Sequence, residues 1–134
     1  MRLTVTHTGK GSAMDCVPPS GARLTFDDPD TGNHGASPVE HLLASIGACA
    51  LVDVGMILAK QRLAFEDLRV ECIGERRDEP FPRVFVDVKL VFRVAGDVPS
   101  DKFEKAVKLS LEKYCSVAGT LRESAPVAFE AIVG

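Results

Sequence analysis

Two cysteines, Cys49 and Cys115, are the side chains of this chain best suited to covalent chemistry. Each lies in or at the end of an apolar segment that favours a helix, with no metal-ligand partner nearby in the sequence. A thiolate is a nucleophile, so two thiols in contact can act as a peroxidatic and a resolving cysteine. If the fold keeps them apart, both are small core residues. One tertiary contact decides between these alternatives.

The polar neighbours of Cys49 indicate which further group is required to make its thiol reactive. Ser45 and Asp53 lie one helical turn before and after Cys49, on the same stripe of a helix. A nearby carboxylate disfavours a thiolate, so a reactive Cys49 requires a cation from elsewhere in the fold. Arg23 is the candidate, with an exposed strand arginine as the alternative. The alternative for the stripe is a cysteine packed as a small hydrophobe beside a salt-bridged aspartate.

Glu40 is the candidate acid, at the start of the same helix. A carboxylate is favoured there by the helix dipole whatever its function. At 3.6 residues per turn, Glu40 faces away from Cys49 in a straight helix. It reaches the thiol only if the first turn is kinked or if the site is completed across a dimer interface.

Composition narrows the class of protein. The 134 residues predict one domain, 1–134, and the net charge of −3 with interspersed signs argues against a nucleic-acid partner. Four cysteines without a signal peptide predict a reducing, cytoplasmic setting. There is no C-x-x-C and no ligand spacing among the histidines, so the spacing predicts no zinc site. Cys72 is expected in the core, and Cys16 in an exposed loop.

Hydrophobic patterning predicts an α+β chain. The second helix should bury a face that ends with Ser110, Leu111 and Tyr114. The predicted elements are antiparallel strands at 2–8 and 22–27, a helix from Ser37-Pro38 to about Gln61, a hairpin of strands at 68–73 and 84–91, a helix from Pro99-Ser100-Asp101, and a strand at 127–133.

The first helix is apolar nearly all round from Leu42 to Leu58, so we expect it to be buried on most sides. A membrane span is disfavoured because Asp53 interrupts a run that is shorter than the roughly 20 apolar residues a bilayer requires. One curled sheet cannot cover such a helix, and a second subunit is the simplest source of cover. The sequence therefore predicts an obligate dimer.

Two motifs resemble those of the OsmC/Ohr family of hydroperoxide reductases. The first is Ser-Pro-x-Glu-x-Leu-Leu-Ala-Ser-Ile-Gly-Ala-Cys, ending at Cys49 and followed by Asp53-Val54 and Ile57-Leu58. The second is Tyr-Cys-Ser-Val-Ala-Gly-Thr-Leu, around Cys115. The order of elements is similar through nearly the whole chain, and the chain looks closest to the OsmC-like subgroup.

The resemblance implies an intertwined homodimer in which strongly curved antiparallel sheets wrap around central helices. It implies that Cys49 is the peroxidatic cysteine and Cys115 the resolving one, with Glu40 and Arg23 in the activating positions. The implied reaction reduces an organic hydroperoxide in oxidative-stress defence, and a dithiol such as a lipoylated protein then reduces the disulfide. It needs no metal, flavin or haem, and it involves no membrane.

The chain departs from the family pattern at the activating residues. The family's glutamate follows the proline directly, whereas Val39 stands there and Glu40 comes next; Arg23 lies in no diagnostic motif. These departures keep a second hypothesis open, a stress-associated or small-ligand-binding protein with weak or no peroxidase activity. A third, handling of persulfides or sulfenates by the same thiols, is not separated from the first by the sequence.

Overall fold

Three short strands begin the chain in the computed structural model, which describes residues 1–32 and 34–134. They are β1 (Val5–His7), β2 (Met14–Cys16) and β3 (Leu24–Phe26), and β2 pairs with both neighbours in antiparallel register. The strands predicted at 2–8 and 22–27 were expected to be antiparallel, and this is wrong: β2 lies between them and is antiparallel to both, so β1 and β3 run in the same direction. The predicted loop position of Cys16 is also wrong, since Cys16 is a buried residue of β2. Asn33, part of the predicted turn before the helix, lies outside the described residues.

The remaining elements follow in the predicted order, with one addition. They are the helices α1 (Pro38–Lys60) and α2 (Ser100–Leu109), the strands β4 (Asp67–Arg76) and β5 (Phe85–Ala95), a π-helical turn (Ser110–Tyr114), helix α3 (Ser116–Arg122) and strand β6 (Val127–Val133). Helix α3 was not predicted from the sequence. The chain is an α+β protein whose contacts cluster into two units, residues 1–42 and 43–134.

The sheet of the second unit has the order β4-β5-β6. Strands β4 and β5 form the predicted antiparallel hairpin, with Asp67 opposite Ala95. Strand β6 is parallel to β5, so the expectation of antiparallel sheets is wrong for this pair. The reason is the connection: α2, the π turn and α3 return the chain to the end where β5 began, and such a crossover makes the next strand parallel.

Helix α1 packs one face against the sheet through its glycines. A Cβ on Gly47 would overlap Cys72 Sγ and lie 3.0 Å from Val70 Cγ1, both on β4. The residues that α1 buries are Ile46, Gly47, Ala50, Val54 and Leu58. Only 28% of its most apolar window is buried, so the expectation that α1 is buried on most sides is wrong for the single chain. One sheet covers one face, and the other face stays apolar and exposed.

Helix α1 is also long and apolar enough to cross a membrane, with a mean hydropathy of 2.2. Length and composition alone do not separate such a span from the core helix of a soluble protein. The close packing of α1 against β4 at the glycines is typical of a core helix. Through this contact, α1 is part of the fold of the second unit.

The close approach of α1 to β4 makes a stability prediction. We expect Gly47→Ala to lower the free energy of unfolding by about 1–3 kcal/mol, because the added methyl overpacks the contact with Cys72. Gly55→Ala on the same helix is the matched control: the nearest atom to its Cβ is Leu68 Cδ2 at 3.8 Å, an ordinary contact. Urea unfolding of the two variants checks this, and equal stabilities would contradict it.

Candidate functional site

The fold brings Cys49 and Cys115 together. Their Sγ atoms and a carboxylate oxygen of Asp53 all lie within 4.8 Å of one another. Cys49 is half-buried on α1, whereas Cys115 is 4% exposed. Both thiols are free. A thiol pair requires the two cysteines to lie close together, and they do so within the second unit. They are therefore not separate core residues.

A break in the helical path places Cys115. The π-helical turn ends with the Cys115 N–H donating to the Ser110 carbonyl at 2.7 Å, and Cys115 itself is extended, with φ −70° and ψ 102°. Its sulfur then caps α3 by accepting a hydrogen bond from the Ala118 N–H at 3.4 Å. Single π turns in proteins frequently lie at functional sites. The same turn rotates Tyr114 outward to 52% exposure, so its predicted place on the buried face is wrong.

The environment of Cys115 favours the protonated thiol. Burial raises the pKa of Cys115 to about 11; the neighbouring Cys49 acts in the same direction, and the Ala118 N–H opposes it. A desolvated thiol loses its proton less readily because the charged form is poorly solvated. Cys115 is therefore a protonated thiol at neutral pH, and its S–H donates a hydrogen bond to the Ile46 carbonyl oxygen at 3.9 Å.

Ser110 holds Asp53 beside the two thiols. The Ser110 hydroxyl is fully buried, donates to Asp53 Oδ2 at 3.0 Å and lies 3.3 Å from the Ala50 carbonyl oxygen. The Ser110 carbonyl, in turn, accepts the Cys115 N–H. Ser110 thus links α1 to the π-helical turn that precedes Cys115. From the sequence, Ser110 was predicted only to lie on a buried helix face. A serine on an otherwise apolar face was a sign that its hydroxyl has a polar partner.

Arg23 and Glu40 each have a local partner in the first unit. Arg23, one residue before β3, forms an ion pair with Asp15 of β2. Glu40 Oε2 accepts the Ser37 N–H at 2.7 Å, and the Glu40 N–H donates to Ser37 Oγ at 3.2 Å. This reciprocal capping box starts α1, and the hydrogen bonds from Ser37 lower the pKa of Glu40. Activation of Cys49 by Arg23 and Glu40 stays a prediction.

The other two cysteines are not members of this cluster. Cys16 is buried in β2, and Cys72 is half-buried on β4 against Gly47. Burial raises the pKa of Cys72. Neither has a second thiol as a disulfide partner in the part of the chain that the structure describes. Reversible thiol chemistry therefore has one candidate location, the Cys49-Cys115 contact.

A cavity of about 390 Å³ opens beside Asp53. Its walls are largely apolar and come from α1, the end of α2 and the π turn, while Lys60 and Gln61 add polar groups. Pockets of this size and character bind small molecules in many proteins. The lining residues are Asp53, Met56, Ile57, Lys60, Gln61, Leu109 and Tyr114.

Comparison with known proteins identifies the family. The model of the family described as OsmC-like protein matches residues 30–130. Protein YhfA of Escherichia coli K12 is 40% identical over 106 residues, which is 78% of each chain.

Solved structures agree in fold. A hypothetical protein from Aquifex aeolicus VF5 is 29% identical, with a TM-score of 0.84 over 99% of this chain and 96% of that one. The organic hydroperoxide resistance protein OhrB of Bacillus subtilis is 20% identical, with a TM-score of 0.69 over 98% of both chains, and shows a similar fold. Because the family model matches most of the chain and a curated relative is 40% identical, this protein belongs to the OsmC-like family.

Proposed function

We propose that this protein is a cytoplasmic thiol peroxidase that reduces organic hydroperoxides in oxidative-stress defence. The observation that carries the proposal is the contact between Cys49 and Cys115, two thiols from distant parts of the chain with Asp53 and Ser110 around them. The likeness of the fold to a named organic hydroperoxide resistance protein supports the same substrate class. The apolar cavity beside Asp53 suits the organic part of such a substrate.

In the proposed reaction, the Cys49 thiolate attacks the terminal oxygen of the hydroperoxide. The O–O bond breaks, the alkoxide takes up a proton and leaves as an alcohol, and Cys49 becomes a sulfenic acid. The Cys115 sulfur then attacks the Cys49 sulfur, water leaves, and a disulfide forms. An external dithiol, with a lipoylated protein as the candidate, reduces the disulfide by exchange and is itself oxidised.

The roles of the two cysteines follow from their surroundings. Cys49 is the more accessible thiol and lies on the helix that lines the cavity. Cys115 is buried and protonated at neutral pH, so it does not compete for the peroxide. Once Cys49 is oxidised, Cys115 is close enough to reach it with a side-chain rotation. This division matches a peroxidatic and a resolving thiol.

The active form is proposed to be an intertwined homodimer with curved sheets. The apolar face of α1 that the single chain leaves open supports this: Val52 is 62% and Met56 is 54% exposed. Burying apolar surface of this kind is the main driving force of subunit association. In such a dimer, a partner subunit could also supply the activating charge that Cys49 needs.

The test is oxidation of the reduced protein by one equivalent of cumene hydroperoxide, followed by intact-mass measurement and peptide mapping. We expect a Cys49-Cys115 disulfide in the unaltered chain, and a trapped sulfenic acid at Cys49 in Cys115→Ser. Cys49→Ser should stay reduced, and Cys72→Ser should behave as the unaltered chain. Thiols that remain reduced, or that oxidise first at Cys16, would rule out the proposal.

A binding function is the second candidate. It is favoured by the local partners of Arg23 and Glu40, which are Asp15 and Ser37, and by the cavity beside Asp53. In that case the chain binds an apolar small molecule and turns over hydroperoxides weakly or not at all. Slow oxidation in the experiment above, together with saturable binding of cumyl alcohol by the Cys49→Ser protein, would favour this candidate.

A further inference from the structure

The cluster of Cys49, Asp53 and Cys115 brings two thiols and one carboxyl group together. In residues 1–32 and 34–134, neither lysine nor arginine forms an ion pair with Asp53. Arg23, the cation predicted from the sequence, pairs with Asp15 instead. If both thiols lost their protons, two thiolates and a carboxylate within 4.8 Å would repel one another strongly, which together with burial keeps Cys115 protonated while no cation is bound. A bound cation would relieve this repulsion directly.

We propose that Cys49, Asp53 and Cys115 form a binding site for a thiophilic divalent cation of the Zn²⁺ type. Thiolates and carboxylates are zinc ligands, at about 2.3 Å for sulfur and 2.0–2.2 Å for oxygen. Tetrahedral coordination at these lengths sets the ligand atoms roughly 3.5–3.8 Å apart. The observed separations of at most 4.8 Å therefore need to contract by about 1 Å, within reach of side-chain rotation.

The surroundings of the three ligands match those of known metal sites. Ligating carboxylates are commonly held by a hydrogen bond from a neighbouring group, and the Ser110 hydroxyl holds Asp53 Oδ2 in this way. The Ala118 N–H donates to Cys115 Sγ, which stabilises negative charge on that sulfur. Three protein ligands leave the fourth tetrahedral position for a water molecule. The prediction of no zinc site was based only on the spacing of ligands along the sequence. The three ligands proposed here come together through tertiary contacts.

Metal binding would regulate the thiols. A sulfur that shares its lone pair with Zn²⁺ is a poorer nucleophile, so an occupied site would slow attack on a hydroperoxide; this consequence, unlike the binding itself, rests on the proposed function. A Cys49-Cys115 disulfide removes two of the three ligands. Occupancy is therefore expected only in the reduced protein, where it would protect both cysteines from oxidation.

The test is a titration of the reduced full-length chain with Co²⁺ under anaerobic conditions, followed by displacement with Zn²⁺. We expect one Co²⁺ per chain with a thiolate-to-metal charge-transfer band, and loss of that band in Cys49→Ser and in Cys115→Ser. Asp53→Asn and Ser110→Ala should each weaken binding by about 10-fold or more. Cys72→Ser, which also leaves three cysteines, is the matched control and should keep the band.

Several outcomes would overturn the site. One is the absence of a charge-transfer band in the unaltered chain; another is a band that disappears in Cys72→Ser and persists in Cys49→Ser. Because the titration contains no hydroperoxide, its result does not depend on peroxidase activity. A chain that binds Co²⁺ but consumes no hydroperoxide would retain the metal site and lose the proposed function, and the converse result would do the opposite.

Discussion

Replacing Cys49 with serine is expected to lower kcat/KM for cumene hydroperoxide by about 10³-fold or more. A serine hydroxyl is almost entirely protonated at neutral pH and is a weak nucleophile, and loss of a nucleophile removes the covalent route rather than weakening it. Steady-state hydroperoxide consumption with a dithiol as reductant measures the effect. Cys72→Ser, on the neighbouring strand β4 and half-buried, is the matched control and should retain activity.

The reductant separates the roles of the two thiols. Cys115→Ser should still be oxidised once at Cys49, but it should lose most of its turnover with a dithiol because no intramolecular disulfide forms. A small monothiol that reduces the sulfenic acid directly should restore part of that turnover, whereas it should not rescue Cys49→Ser. Unchanged consumption by Cys49→Ser would contradict the assignment of the nucleophile, and equal losses in both variants under every reductant would contradict the division of roles.

The second large effect concerns assembly. We expect Val52→Glu to convert the dimer to a monomer at micromolar concentration, with the dissociation constant raised about 100-fold or more. A glutamate on the exposed apolar face of α1 would be buried without a partner charge at the interface. Light scattering coupled to size-exclusion chromatography measures the mass. In the unaltered protein, that mass should be twice the chain's 14.4 kDa.

Phe81→Glu is the matched control for assembly. Phe81 is 75% exposed and lies in the connection between β4 and β5, not on α1. The same apolar-to-acidic change there should leave the dimer intact. An unaltered chain that is monomeric at all concentrations would contradict the proposed dimer, as would a Val52→Glu protein that remains dimeric.

Local signals in the sequence were sufficient for the elements that depend on neighbouring residues. Ser37 and Pro38 predict the start of α1, because the serine oxygen accepts a hydrogen bond from an exposed N–H group and proline at the first position has no N–H to leave unpaired. Strand β6 was predicted with its observed bounds, Val127–Val133. The two cysteine motifs identified the family, since their residue types and order do not depend on how the chain folds.

Three features came only from tertiary contacts. Strand β2 was missed because Met14–Cys16 is too short to show an alternation of polar and apolar side chains. It is recognised as a strand only by its pairing with β1 and β3. The parallel direction of β6 follows from the route of the connection, which composition does not encode. The exposure of Tyr114 follows from a π turn, whose extra residue shifts every later side chain relative to helical periodicity.

Local sequence patterns were sufficient to predict α1 and α2, most of the strands, the family and the two candidate thiols. The proximity of Cys49 and Cys115, and the position of Asp53 and Ser110 beside them, became known only from the tertiary structure. The physical reason is distance along the chain. Helical and strand periodicities relate residues a few positions apart, whereas Ser110 and Asp53 are 57 positions apart and meet because two packed elements bury their polar groups together.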